Sequence, residues 1–100
     1  MQLPSDRLKR KVEKENLWIF VLSILSQSDS DGAEIKRSVT RVFGFLTGNM
    51  TVYKVLYLLS KGGYVKSAKT GKNVVYKITA EGKKELQKAR GFLLKTGSSI

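Results

Sequence analysis

The chain has 100 residues, of which 41% are hydrophobic, with 19 lysines and arginines against 8 acids, for a net charge of +11 and a pI near 10.1. That length supports one modest core, and the apolar content argues for a folded domain rather than a disordered one. With neither cysteine nor histidine, disulfides, thiol nucleophiles, imidazole bases and nearly all structural zinc chemistry are excluded.

Charge is unevenly placed. Between Ile35 and Ala80 stand nine basic residues (Lys36, Arg37, Arg41, Lys54, Lys61, Lys66, Lys69, Lys72 and Lys77) and no acid. Such a region repels itself unless a polyanion faces it or water screens it, so nucleic acid is the first partner to consider and a solubilising face the second.

Pro4 and Ser5 open a helical tract whose apolar positions Leu8, Val12 and Ile19 lead into Leu22 and Leu25. It is either one long helix or two broken near Asn16. The basic RLKRKVEKEN segment before LWIFVLSIL resembles a targeting signal. Leu17 to Leu25 is far short of the ~20 residues that span a bilayer, and no cleavage site follows, so a buried helix is expected and no membrane partner. The cluster Arg7, Lys9, Arg10 and Lys11 is offset by Asp6, Glu13 and Glu15 and reads as solvated surface.

The polar run Ser26 to Gly32 ends this tract. Asp31 followed by Glu34 is a capping box: the Asp31 carboxylate accepts a first-turn amide while Glu34 reaches back. A calcium loop built on Asp29, Asp31 and Gly32 fails, because Ser38 stands where its glutamate is required. A second helix follows, with Ile35, Val39, Val42 and Phe43 on its core side and Arg37 and Arg41 one turn apart, either clamping phosphate or pointing into water.

FLTGN, Phe45 to Asn49, breaks the chain again. The third helix, running to about Lys61, carries Val52, Val55, Leu56 and Leu59 on one arc and Met50, Lys54, Tyr57 and Lys61 on the other. Thr47, Asn49 and Thr51 are suited both to capping its start and to meeting base edges or phosphates there. Tyr53 is expected in the core. Gly62 and Gly63 stop the helix, one of them left-handed.

Tyr64 to Thr70 and Val74 to Thr79 flank GKN as a hairpin carrying Lys66, Lys69, Lys72, Asn73 and Lys77. Alternation puts Val74, Tyr76 and Ile78 on one face and Asn73, Val75 and Lys77 on the other. Those lysines either meet phosphates or guard a strand edge. Thr79 caps a last helix, about Ala80 to Lys95, and GSSI, residues 97–100, is expected as a disordered tail after a single domain spanning 1–96.

Three helices and a hairpin in this order describe a winged helix-turn-helix, an α+β fold that is mainly α, in which the third helix fits the major groove of double-stranded DNA and the wing lies over phosphates. No carboxylate pair, phosphate loop or metal cluster suggests an enzyme or a cofactor.

The residues also resemble the PadR family of winged-helix transcriptional regulators over about Leu17 to Leu86. The matching positions are Gly32, Glu34 and Ile35; Tyr53, Leu56, Leu59, Gly63 and Val65; and Tyr76, Thr79 and Gly82, the most specific set. The chain departs from the family pattern at Ala33, Met50, Ser60 and Asn73, so neither base preference nor effector is carried over. The resemblance implies a DNA-binding, repressor-like homodimer joined through the last helix and often the first, and the cysteine-free composition fits a cytoplasmic, DNA-associated place inside the cell. Independently, Leu86, Ala89 and Leu93 are spaced as a helical seam that a chain this short has little core left to cover. The alternatives are a non-specific architectural nucleic-acid binder and a winged-helix module for protein contacts.

Overall fold

A computed structural model describes residues 3–100. Helix α1 (Pro4–Glu15) and helix α2 (Leu17–Gln27) are separate, broken at Asn16, whose φ of −121° and ψ of 32° leave helical geometry. After the two-residue strand β1 (Ser30–Asp31) come α3 (Gly32–Phe43), α4 (Asn49–Lys61), β2 (Val65–Thr70), β3 (Asn73–Ile78) and α5 (Ala80–Ser99).

The core forms where α2, α3 and α4 meet the base of the hairpin. Leu17, Val21, Leu22, Leu25, Ile35, Val39, Val52 and Leu56 are almost wholly buried, each on the inward stripe of its helix. Phe20 packs edge-to-face on Phe43 and Phe45, with ring centroids 4.8 and 5.0 Å away, a geometry that the aromatic quadrupole favours. Phe45 thereby pins the loop that leads into α4. By contrast α1 buries no residue, and the molecule is elongated, 46 × 29 × 21 Å.

Several local signals act as the sequence suggests. The Asp31 carboxylate accepts from the Glu34 amide at 2.8 Å. Gly63, with φ of +83°, closes α4: its own amide donates to Ser60 O at 3.1 Å and that of Tyr64 to Leu59 O at 2.9 Å, the Schellman pattern. The hairpin turn is Gly71–Lys72, with Gly71 at φ +63°, as a two-residue turn twisted to match its strands requires.

The departures have physical causes. Glu34 does not reach back to complete the capping box, because its carboxylate is held by Arg37 at 2.7 Å. Strand β1 lies in the polar run and carries no strand signature; it exists because Ser30 and Asp31 pair antiparallel with Tyr76 and Val75, giving a sheet of order β1-β3-β2. Val42, expected on the core side of α3, is 58% exposed, because at the last turn of the helix it is Phe43 that turns in against Phe20. Tyr53 is half exposed; its ring lies over Gly32, where a Cβ would collide with it. Helix α5 runs to Ser99, past the expected end at Lys95 and through most of the 97–100 segment read as a tail.

Candidate nucleic-acid interface

Because Val52, Leu56 and Leu59 anchor α4 inward, its opposite arc faces water: Met50, Lys54, Tyr57 and Lys61 are all exposed. Asn49 and Thr51 are exposed and Thr47 partly so. The residue before the helix is Gly48, which offers no side-chain cap. Among the described residues Thr47, Asn49 and Thr51 make no side-chain hydrogen bond, so the first-turn amides of α4 are open to an anion. The capping role suggested for those three residues is not used.

Helix α3 contributes a second element. A shallow groove of about 430 Å³ runs between it and the start of α4, lined by Ala33, Lys36, Arg37, Thr40, Arg41 and Asn49. It brings together Arg37, Arg41 and Asn49, and adds Lys36, whose place in the acid-free stretch was the only signal for it. Arg37 is not free: the hydrogen bond and charge of Glu34 raise its pKa further above the ordinary arginine value. Arg41 donates to the Ser38 hydroxyl at 3.2 Å.

The wing carries Lys66, Lys69, Lys72, Asn73 and Lys77, all exposed. Its register divides them. Lys66 stands directly opposite Lys77, and Thr70 opposite Asn73; with period-2 alternation Lys66, Asn73 and Lys77 share the face turned from the core. Lys69 pairs with Val74 on the other face, and Lys72 occupies the turn. Like charges in direct cross-strand register are destabilising. Among the described residues the ion pairs use Lys11, Arg37, Lys84 and Lys88, so Lys54, Lys66, Lys69, Lys72 and Lys77 are all uncompensated.

At the far side, Ala89 is partly buried and Leu93 is 45% exposed, while Leu86, expected on the same seam, is only 3% exposed and belongs to the chain's own core. The reason is position: Leu86 packs into the core with α2, whereas Ala89, Phe92 and Leu93, further along α5, line an open trough. Phe92 and Leu94, 68% and 72% exposed, extend the apolar surface there. Between α1 and α5 lies an open trough of about 490 Å³, with Leu8, Val12, Trp18 and Ile19 across from Ala89, Phe92 and Leu93.

No helix among the described residues is long and apolar enough to cross a membrane. Residues 21–88 match the transcriptional regulator PadR-like family. A transcriptional regulator from Clostridium thermocellum is 28% identical and superposes with a TM-score of 0.77, covering 88% of this chain and 93% of its own. A PadR family transcription regulator from Clostridium difficile is 26% identical, with a TM-score of 0.72 over 82% of this chain and 94% of that one. A winged-helix DNA-binding protein from STIV, 15% identical, shares the fold with a TM-score of 0.70 over 80% and 88% of the two chains. A sequence comparison with curated proteins finds no match.

Proposed function

The chain belongs to the PadR-like family, a family of transcriptional regulators and not of enzymes, and on that premise we propose that it is a sequence-specific double-stranded DNA binder acting as a homodimeric repressor inside the cell. The observation that carries the reading is the pairing of Lys66 with Lys77 on a wing that no carboxylate relieves. Two lysines in direct cross-strand register repel each other, and a phosphate backbone turns that cost into attraction by releasing its counterions.

In this reading the exposed arc of α4 enters the major groove, where Asn49, Met50, Thr51, Lys54 and Tyr57 meet base edges. Thr47 and the open amides of the first turn meet phosphate, as do the α3 groove with Arg37 and Arg41 and the wing with Lys66, Lys69, Lys72, Asn73 and Lys77. These contacts set register but carry no base information. A second copy covers the trough between α1 and α5 through Ala89 and Leu93, so that two α4 helices lie about one DNA turn, ~34 Å, apart and favour a palindromic site.

Selection of duplexes from a random pool, followed by affinity measurement across a salt series, tests this. Lys72→Glu should weaken binding to every duplex and lower the salt slope by about one. Lys54→Ala should instead change which duplex is preferred. Equal affinity for selected and random duplexes would point to an architectural binder, and no affinity for either, with the fold intact, would leave a protein-contact module.

A further inference from the structure

Met50 and Tyr57 are 87% and 63% exposed on the outward arc of α4. They are seven residues apart, two helical turns, or ~10.5 Å along the axis. Lys54 lies midway and, among the described residues, has no ion-pair partner. Met50 lines neither the groove that holds the exposed Leu58 nor the trough that holds Leu8, Phe92 and Leu93, so a subunit contact through α1 and α5 does not account for it.

What an apolar side chain can gain in a major groove is narrow. Guanine, adenine and cytosine present only donors and acceptors there, whereas thymine presents a methyl group. A thioether pressed on a polar base edge strips water from groups it cannot satisfy. Pressed on a methyl it buries apolar surface without that cost, and the unbranched methionine side chain adapts to the contour. Tyr57 adds a ring that can lie against a second methyl while its hydroxyl stays wet.

We propose that α4 selects its DNA through thymine methyl groups, Met50 seated on one thymine and Tyr57 on another about three base pairs further along the half-site, at ~3.4 Å per base pair. Lys54, between them, meets the intervening base pair or its phosphate. The inference rests on the major-groove reading above and names the base feature being read.

The test uses the full chain and a duplex recovered from a random pool, with each thymine replaced in turn by uracil, which differs only by the methyl. Two thymines per half-site, about three base pairs apart, should each cost roughly three- to fivefold in affinity when replaced, the effect of one lost apolar carbon. Met50→Ala should abolish the uracil effect at one position and Tyr57→Ala at the other, with circular dichroism unchanged because both side chains are exposed. Uracil tolerated throughout a selectively bound duplex would overturn the proposal, as would methyl effects that survive both substitutions. Failure to enrich any duplex would instead overturn the DNA-binding reading itself.

Discussion

The Thr79 hydroxyl donates to the Gly63 carbonyl at 2.7 Å and accepts from the Gly82 amide at 3.1 Å. One side chain thus ties the end of α4, the exit of the wing and the first turn of α5. Thr79→Val keeps the shape but loses both bonds, and should cost about 1–2 kcal/mol in chemical denaturation. Thr79→Ser should recover most of it. Equal stability of all three proteins would mean that the bond network contributes nothing.

Glu34 holds Arg37 at 2.7 Å beside the groove between α3 and α4. Glu34→Gln removes the carboxylate bonded to that arginine and leaves the Asp31 cap in place. Affinity for duplex DNA at low salt should rise about two- to fivefold, with a steeper salt dependence. Unchanged binding would place Arg37 outside the interface.

Leu93 is 45% exposed beside Phe92 and the trough along α1. Leu93→Glu leaves the monomer core untouched but places a charge where a second copy would pack, and should weaken self-association by about 2 kcal/mol or more, roughly thirtyfold. Sedimentation velocity reads the shift to monomer, and the emission of Trp18, which lines the same trough, should move with it. A substituted protein that sediments as the parent does would rule out this face as the subunit contact.

Burial at the base of the wing, helped by the neighbouring Tyr53, pushes the Tyr76 phenol above its ordinary value of 10.0. The folded chain therefore holds this proton more tightly than the unfolded chain. That share of the stability is complete below the unfolded value and is lost as pH rises through the higher folded one. Tyr76→Phe cannot ionise, so its unfolding free energy should fall less steeply than the parent's above about pH 10. Parallel alkaline limbs for the two proteins would refute the assignment.

Much of this was legible in the residues because the determinants are local. The Asp31 cap, the stop at Gly62 and Gly63, the turn at Gly71 and the Thr79 cap are each specified by a few neighbours whose backbone preferences agree. The inward arc of α4 followed from spacing alone, and with it the outward arc of Met50, Lys54 and Tyr57. Strand β1 was hidden because a two-residue strand has no period; its partner is more than forty residues away.

By itself, then, the order of residues determined the helices, the hairpin, the winged-helix arrangement and the acid-free basic stretch, since hydrophobic period, capping and charge act over a few positions. Only the folded chain decided that Leu86 closes the core while Leu93 stays outside, that Glu34 turns to Arg37, and that Lys66 stands opposite Lys77. Those outcomes depend on where packing stops along a helix and on strand register, and both are set by contacts between residues distant in sequence.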